Sequence, residues 1–441
     1  MNLHGWDTAN IVSFDLINRA LEDQAKSLIT RFKFVDGPIH LEGRFGPWRV
    51  VPGGALQKLH LQIPIVEGWI KGLRRERKTK LDGTALTVEI GLRLLPRPDG
   101  TGASDLVFDL GDGGTPETRP IRGIDIEITN TNLNEAQIEM TRLALVDCLN
   151  AHAEQIAFVF ATIETRGSAT DAWLRLPHVD FANLELVDGP NYLAIMGSRV
   201  KPTPEMALDR FDIKLLDGHP PAIFAASHAL YASGVLAPWM NGNFKPKAAF
   251  TPASVAVPGS KRKIHGVAMK GAVALPKADS YEPVLETLTL ALDGAYLRAF
   301  AKAKVHIGVG CHLQVTIEIT HRFGLDPKSG RFSLKPVGKP VEKHWFDANN
   351  PLGWIVAAGA TIIEWLIPSL RNAISGALMG IAAKMDTASN PLQQPRIWRG
   401  LRDFQPQRFL TSGCFWLADL RAPEPLTFHP PDKDPVRVAS Q

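Results

Sequence analysis

The feature that most constrains the fold is a long stretch of strict alternation near residue 300. Residues 297–307 place an apolar side chain at every second position, and residues 313–319 do the same after the turn sequence Gly308-Val309-Gly310. A period of two is typical of a β-strand with one buried face. At about 3.3 Å per residue the first arm reaches roughly 35 Å. The pattern therefore predicts an antiparallel hairpin that is much longer than an ordinary strand pair.

Shorter segments in the first half of the chain show the same alternation, at residues 60–66, 84–94 and 123–129. Turn-rich sequences such as RPDGTGASD and GDGGTPETRP separate them, which favours antiparallel neighbours. The sequence IAFVFATIET returns to a strand pattern, and FLTSGCFWLADL near the C-terminus is expected to form a closing strand.

Apolar residues at helical spacing predict helices that alternate with these strands. We expect a long first helix that begins with Asp7 or Thr8 as its cap and continues through the apolar stripe Ile11, Phe14, Ile17, Leu21, Leu28 and Phe32. Further helices are expected from a cap at Asn132 or Asn134 to about residue 153, at about 221–240 with proline in the first turn, and from a cap at Asn350 to about residue 385. Helix, strands, helix and strand thus occur twice, without a repeated sequence.

The length of 441 residues suggests two or three structural units. Pro202 and Pro204 interrupt the pattern between the two halves, which predicts a boundary there. We expect an N-terminal unit at residues 1–205, a C-terminal unit at 206–425 and a proline-rich tail at 426–441. Segregated helices and long antiparallel strands indicate an α+β fold.

Composition excludes several classes of protein. A net charge of +4 is too small to indicate a nucleic-acid-binding protein without a concentrated basic face, so we expect no nucleic-acid partner. Cys148, Cys311 and Cys414 are odd in number and far apart, which argues against a disulfide framework or a zinc cluster. The sequence therefore fits a reducing compartment.

Neither targeting nor membrane spanning is indicated by the apolar segments. The N-terminus lacks the basic, apolar and small-residue zones of a secretory signal, so we expect a cytoplasmic protein or one released without a cleavable signal peptide. The apolar segment at residues 351–368 contains Glu364 and is followed by Arg371. A span needs about 20 apolar residues, so a buried helix is favoured over the alternative of membrane insertion.

Motif searches give no positive indication of catalysis. The sequence contains neither a G-x-S-x-G nucleophile elbow nor a phosphate-binding or zinc-protease motif. His306, His312 and His321 lie around the long hairpin, but alternation puts the first two on the polar face and the third on the other, without an acidic partner. We expect no enzyme activity, no cofactor and no metal.

Two basic segments stand where hairpin turns are expected. The first contains Arg74, Arg75, Arg77, Lys78 and Lys80, and the second contains Lys261, Arg262 and Lys263. Charges at strand ends serve in many proteins only to solvate the turn. The functional alternative is an anionic partner, and a lipid phosphate surface fits better than DNA because no nucleic-acid-binding module accompanies the charges. We treat these residues as a candidate headgroup site.

Small and apolar residues at the predicted helix–sheet contacts leave two readings open. The alanines of the long hairpin let another backbone approach closely, or they leave room for an acyl chain. The second reading defines a candidate apolar groove made of Phe14, Ile17, Leu21, Ala299, Ala301 and Ala303. The sequence SGALMG, with Gly376 and Gly380, favours close helix packing.

Three short motifs carry a family resemblance. Gly5-Trp6-Asp7, the sequence FVFATI at residues 158–163 and YLAIMG at 192–197 occur in this order. In these motifs the chain resembles the accessory proteins encoded beside botulinum neurotoxin in gene clusters without haemagglutinins, members of the tubular lipid-binding (TULIP) superfamily. The match lies in the first half of the chain, and the repeated element order extends it to the second.

The resemblance implies a specific architecture and function. Each half would be a long, strongly curved antiparallel sheet wrapped around a long helix, and two such units would form an elongated body. The first helix would then be the rod inside the first sheet, with Trp6 packed near its end. The family implies no catalytic residues, but it implies binding of lipids, including phosphoinositides, and assistance to a toxin or other secreted partner.

The sequence thus leads to one functional hypothesis and one rival. We expect a non-enzymatic lipid-binding or membrane-surface accessory protein whose partners are a lipid or other apolar ligand, an anionic membrane and a toxin or accessory protein. The alternative is a protein-interaction scaffold whose core is filled by its own side chains. The volume left inside the predicted sheets discriminates between them.

Overall fold

The structure is a computed structural model of the 441-residue chain. It describes residues 3–24, 28–74, 77–111, 120–128, 133–156, 158–164, 172–186, 189–203, 206, 216, 218–244, 249–257, 262–275, 277, 281–308, 311–325, 332–347, 353–388, 396–398, 405–411 and 414–421. The predicted tail at 426–441, the cap Asn350 and Pro351 lie outside these ranges.

Strands dominate the first half of the chain. They are β1 (Thr8–Ser13), β2 (Arg31–Asp36), β3 (Ile39–Phe45), β4 (Arg49–Val51), β5 (Lys58–Arg74), β6 (Arg77–Lys80), β7 (Ala85–Pro96), β8 (Ala103–Asp109), β9 (Ile121–Glu127), β10 (Val159–Glu164), β11 (His178–Leu184) and β12 (Tyr192–Ser198). The helices are α1 (Phe14–Asp23) and α2 (Glu135–Ala151).

The second half again combines long strands with few helices. The strands are β13 (Ala222–Ser227), β14 (Ala249–Ala256), β15 (Lys263–Lys270), β16 (Val273–Ala274), β17 (Pro283–Asp293), β18 (Tyr296–Gly308), β19 (Cys311–Leu325), β20 (Phe332–Pro336), β21 (Val341–Asp347), β22 (Arg396–Trp398), β23 (Gln405–Thr411) and β24 (Cys414–Arg421). The helices are α3 (His228–Tyr231), α4 (Ala237–Asn243) and α5 (Gly353–Ala388), and a π-helical turn at Ala232–Leu236 joins α3 to α4.

The strands that the structure describes form three sheets, and all of their pairs are antiparallel. The N-terminal sheet has the order β2-β3-β5-β7-β8-β10-β22, with β4 and β6 beside β5 and β9 beside β7. The C-terminal sheet has the order β14-β15-β17-β18-β19-β20, with β16 beside β17 and β21 beside β19. The central sheet, β11-β12-β1-β13-β24-β23, takes its strands from both halves. Long antiparallel sheets with few helices confirm the coarse fold prediction.

The central sheet has a palindromic order that reflects the repeated element order. β1 and β13 are neighbours in register, with Thr8 opposite Ala226 and Val12 opposite Ala222. β12 flanks β1 as β24 flanks β13, and each inner strand leads directly into a helix. Because β1 and β13 lie on opposite sides of the predicted boundary at residue 205, the two halves share this sheet. The boundaries themselves stay a prediction.

The long hairpin is confirmed. β18 has 13 residues and β19 has 15, and they pair from Tyr296 opposite Arg322 to Gly308 opposite Cys311. The alternating apolar residues of both strands are buried and face α5. α2 is also confirmed: Asn134 caps it, and its side-chain oxygen accepts a hydrogen bond from the Gln137 amide at 3.0 Å.

The first predicted helix is wrong in its start and in its length. Residues 8–13 form β1, α1 begins only at Phe14 and ends at Asp23, and Phe32 lies in β2. Every residue of β1 is buried, so the strand lacks the alternation that marks a half-exposed strand. Ile11 therefore fits a helical stripe by coincidence. The helix cap is Ser13, whose hydroxyl accepts a hydrogen bond from the Leu16 amide at 3.4 Å.

The same error occurs at the equivalent place in the second half. Residues 222–227 form the buried strand β13, and helix α3 begins at His228 with Ser227 as its cap. The Leu230 amide donates to the Ser227 hydroxyl at 3.1 Å. The C-terminal segment predicted as one closing strand is also different, because it forms the antiparallel pair β23 and β24.

Among the described residues, three apolar clusters make up the core. One joins α1 and α2 to the N-terminal sheet, a second joins α3, α4 and α5 to the C-terminal sheet, and a third lies on the central sheet. In the part of the chain that the structure describes, no helix is both long enough and apolar enough to cross a membrane.

Candidate functional site

The first basic segment forms the end of a hairpin. β5 and β6 are antiparallel, with Arg74 opposite Arg77 at the turn and Trp69 opposite Lys80. Arg77, Lys78 and Lys80 are exposed. The Lys78 ammonium lies 3.6 Å from the centroid of the Trp69 ring, a cation–π contact that holds this charge against the strand. Arg75 and the side chain of Arg74 lie outside the described residues.

The second basic segment also lies at a hairpin end, but part of its charge is already paired. β14 and β15 pair up to Ala256 opposite Lys263, and Lys263 is exposed. The Arg262 guanidinium forms an ion pair with the Asp293 carboxylate, which also binds Arg298 at 3.0 Å. Lys261 lies outside the described residues. Of the two segments, the β5–β6 end therefore presents the larger set of described, exposed charges.

The candidate groove residues lie in two different core clusters. Phe14, Ile17 and Leu21 of α1 belong to the cluster of the N-terminal sheet. The three alanines of β18 belong to the cluster of the C-terminal sheet. Each alanine is 0% exposed, and α5 packs across β18 and β19. The alanine row is thus buried in the same core cluster as residues of α5.

A small cavity that the sequence analysis missed lies where the residues before β2 meet the connection between β3 and β4. It measures about 230 Å³ and is lined by Leu28, Ile29, Thr30, Arg44, Phe45, Gly46, Pro47, Trp48 and Val66. The Trp48 ring meets Phe45 edge-on, with centroids 6.4 Å apart. The volume falls below the usual range of about 300–1,000 Å³ for ligand pockets, so it has no room for a whole lipid. The only sequence feature at this cavity that could have drawn attention to it is Phe-Gly-Pro-Trp at residues 45–48.

The Gly5-Trp6-Asp7 motif has a structural role in the central sheet. Gly5 has a φ of 94°, and a Cβ at this position would lie 2.7 Å from Cγ of Met206. The Trp6 indole N–H donates to the Met206 carbonyl at 3.0 Å. Trp6 packs with Leu3 in the central cluster, and not at the end of a long helix as the resemblance implied. Through these contacts with Met206, the motif holds the segment that follows β12 against the central sheet.

Asp7 joins three segments of the chain. Its carboxylate accepts hydrogen bonds from the Arg199 backbone amide at 2.8 Å and from the Arg199 guanidinium at 3.1 and 3.0 Å. The Ser227 hydroxyl at the start of α3 donates to it at 3.3 Å. One buried carboxylate thus connects β1, the residue after β12 and the cap of α3.

We expect Asp7→Ala to lower the free energy of unfolding by about 1 to 2 kcal/mol, since it leaves these donors without their acceptor. The loss is smaller than for a fully buried ion pair because the Arg199 side chain is 42% exposed. Chemical denaturation measures the change, and Asp23→Ala, at an exposed position in the last turn of α1, is the control. Equal stability of the two variants would show that the Asp7 contacts contribute nothing.

Several titratable groups are buried and held neutral. Burial lowers the pKa of His228 to about 4, with further lowering by the nearby His265 and a smaller opposing effect of Asp293. Burial also lowers the pKa of His321, and it raises the pKa of the Cys148 thiol to about 12. A thiol with a raised pKa is not activated as a nucleophile.

The surface histidines of the long hairpin lie where the alternation predicted them. His306 and His312 are cross-strand neighbours, with ring centroids 4.9 Å apart, and His321 lies on the buried face of β19. Within the described ranges, no group of three histidine, cysteine or acidic residues is arranged to hold a metal ion.

Comparison with known proteins defines the class. The fold is one of antiparallel sheets joined through a shared central sheet, and the model of the OrfX-like family, described as Protein OrfX2/OrfX3/P47, matches residues 3–388. The chain belongs to this family. The resemblance to the botulinum neurotoxin-cluster accessory proteins, made from three short motifs, is thereby confirmed.

Individual relatives agree with this assignment. Protein P47 of Clostridium botulinum (strain Kyoto / Type A2) is 24% identical over 165 residues, which cover 37% of this chain and 38% of that protein. The solved structure of P47 from Clostridium botulinum A2 is similar with a TM-score of 0.76 and 18% identity, covering 96% of this chain and 98% of that one. P47 of Clostridium botulinum E1 follows with a TM-score of 0.72 and 17% identity, covering 95% and 99%. At these identities the solved structures establish the fold alone.

Proposed function

We propose that this chain is a non-enzymatic accessory protein that acts at an anionic membrane surface, and that the end of the β5–β6 hairpin contacts lipid headgroups. The observation that carries the proposal is the cluster of exposed charges at Arg77, Lys78 and Lys80 on one hairpin end. Lys263 and Arg262 at the β14–β15 end form a second, weaker contact because Arg262 is paired with Asp293. Family membership supports an accessory role beside a toxin or another accessory protein.

We further propose that each half is a TULIP-like unit. The 36-residue helix α5 packs on β18, β19 and β20, and α2 packs on β3, β5 and β9, which supports one helix against each long sheet. In this proposal α2, and not α1, takes the place of the long helix in the N-terminal half. A cytoplasmic location is part of the same proposal.

The β5–β6 contact is tested by reversing its charges. Near an anionic surface each basic residue contributes about 1 kcal/mol, and a glutamate in its place adds repulsion. Arg77→Glu, Lys78→Glu and Lys80→Glu together should therefore weaken binding to vesicles that contain phosphatidylserine or a phosphoinositide by at least about 100-fold. The melting temperature should change little, because these side chains are exposed and lose at most the contact of Lys78 with Trp69.

A matched control changes the same charge elsewhere. Arg49→Glu, Lys201→Glu and Lys270→Glu also replace one arginine and two lysines at exposed positions. Vesicle cosedimentation at low salt compares the two triple variants. Equal losses in both would reduce the effect to net charge, and unchanged binding of the β5–β6 variant would exclude the hairpin as a headgroup contact.

The rival function is a protein-interaction scaffold with a self-filled core. The burial of Ala299, Ala301 and Ala303 under α5 favours a filled core over a groove that carries lipid. Mass spectrometry of organic extracts from protein purified without detergent distinguishes the filled core from the lipid-carrying groove. A filled core predicts no lipid in the extract, and a reproducible lipid at one mole per mole of protein would restore the groove. The scaffold reading also requires that anionic vesicles are not bound.

A further inference from the structure

An apolar and basic repeat runs along one edge of the C-terminal sheet. The sequence Lys-Pro-Val-Gly-Lys-Pro-Val-Glu-Lys-His-Trp at residues 335–345 has a lysine at every fourth position and an apolar residue two positions after each lysine. We call its six alternate residues the edge strip: Lys335, Val337, Lys339, Val341, Lys343 and Trp345. The functional site described above uses none of them.

The backbone makes the middle of the strip protrude. β20 ends its pairing with β19 at Pro336 opposite His321, and β21 resumes it at Val341 opposite Glu318. Residues 337–340 therefore stand opposite only residues 319–320, and the extra residues form a bulge. The Val337 amide donates to the Thr320 carbonyl at 2.8 Å, and Gly338 takes a φ of 71° that turns the chain.

The inner face of β21 is anchored, so its outer face has a fixed direction. The Glu342 carboxylate pairs with the Arg371 guanidinium of α5, and Phe346 packs against the apolar cluster of the C-terminal sheet. Alternation along the strand then points Val341, Lys343 and Trp345 away from the core. This is the direction in which their exposure is observed.

The apolar side chains of the strip are exposed to an unusual degree for one short segment. Val337 is 42% exposed, Val341 is 54% and Trp345 is 42%, and the three lysines that alternate with them are exposed as well. Single exposed apolar residues are ordinary, but here three occur within nine residues and alternate with lysines. Within the described ranges, β21 pairs with no strand on its other edge.

The geometry points to one occupant. We propose that the edge strip inserts into the interface of an anionic bilayer, with Val337 and Val341 at the acyl boundary, Trp345 at the headgroup level and the lysines on lipid phosphates. Tryptophan favours this interfacial depth, and lysine favours an anionic surface. A protruding bulge offers no concave pocket for the side chains of a partner protein, whereas a fluid bilayer conforms to it. The inference rests on the proposed membrane function and adds the element that penetrates the surface.

The test removes the apolar side chains and keeps the lysines. Val337→Asp with Val341→Asp should lower the affinity for phosphatidylserine vesicles at least about tenfold. The reason is that two apolar side chains are no longer transferred from water into the bilayer. Val35→Asp with Val200→Asp is the matched control, since both valines are at least as exposed and lie elsewhere. The control should bind like the wild type, and all proteins should keep the wild-type melting temperature.

A second readout reports depth. Brominated lipids quench a tryptophan that enters the bilayer. The chain contains ten tryptophans, so the measurement compares the total quenching of the wild type with that of Trp345→Phe; the difference is the contribution of Trp345. We expect a clear loss for this variant. Quenching that is identical in both proteins would overturn the insertion of Trp345, and this measurement stands even if the aspartate variant is poorly folded.

The outcomes separate this inference from the proposed function. Vesicle binding that persists in the valine variant but falls after charge reversal at β5–β6 would overturn the strip and keep the membrane function. Loss in the valine variant alone would keep the strip and exclude the β5–β6 contact. A wild-type protein that binds no anionic vesicles, but is captured by an acidic peptide through the strip, would overturn both.

Discussion

Ala301→Trp should destabilise the protein by about 3 kcal/mol or more, whereas Lys302→Ala should change the free energy of unfolding by less than about 1 kcal/mol. Ala301 is 0% exposed on β18 and belongs to the cluster that α5 covers. Adding even a few methylene groups to a packed core costs about 1 to 3 kcal/mol, and an indole is larger. Lys302 lies on the outer face and loses only a partly exposed ion pair with Glu286 at 3.1 Å.

Chemical denaturation of the two variants decides this prediction. A self-filled core requires the large asymmetry between neighbouring residues. If Ala301→Trp were as stable as the wild type, space for an indole would exist beneath α5. The groove reading of the alanine row would then replace the filled core.

Two glycines of α5 provide the second large contrast. A Cβ at Gly380 would lie 2.0 Å from Cζ2 of Trp239, whose indole N–H donates to the Ala377 carbonyl at 2.7 Å. A Cβ at Gly376 meets nothing within 4 Å, and this residue is exposed. We expect Gly380→Ala to destabilise the protein by about 2 kcal/mol, because the tryptophan or the helix must shift.

Gly376→Ala should instead stabilise the protein by about 0.5 to 1 kcal/mol, since alanine is the better helix former. Thermal melts of the two variants therefore move in opposite directions. Equal shifts would mean that α5 does not lie against Trp239 as described. The pair also sharpens the sequence prediction, because only one of the two glycines provides close helix packing.

The elements of the fold that could be predicted are those with one solvent-exposed face. β18 and β19 expose polar side chains at every second residue, so their period is visible in the sequence. α2 could be placed because its apolar residues recur at helical spacing after an asparagine that can cap it. Both signals are local, and tertiary packing does not override them.

The errors have a common physical origin in the central sheet. β1 is buried on both faces, and β13 nearly so, because side chains on their two faces pack into different apolar clusters: Val12 joins the cluster of the N-terminal sheet, and Ile11 joins the central one. A strand without a polar face shows no period of two in the sequence. Because a helix follows each strand directly, the apolar residues of the strand were assigned to that helix. Ser13 and Ser227 indicate the true starts of the two helices, since serine is a preferred residue at a helix N-cap.

The candidate site was predictable in position and less so in composition. The two basic segments lie at hairpin ends, as their place between strand patterns indicated. That Arg262 is paired with Asp293 depends on a residue far along the chain, which no local pattern reveals. The edge strip was visible as a four-residue repeat, but only the structure shows that its apolar residues face outward.

The central claim, that this chain acts at an anionic membrane surface, is tested most directly by cosedimentation of the wild-type protein with vesicles. Vesicles of phosphatidylcholine alone are compared with vesicles that also contain phosphatidylserine or a phosphoinositide, at low and at high salt. We expect binding to the anionic vesicles only, and we expect it to weaken as the Debye length falls from about 10 Å at 0.1 M to about 3 Å at 1 M salt. Absence of binding to anionic vesicles at low salt, or equal binding to neutral ones, would contradict the claim.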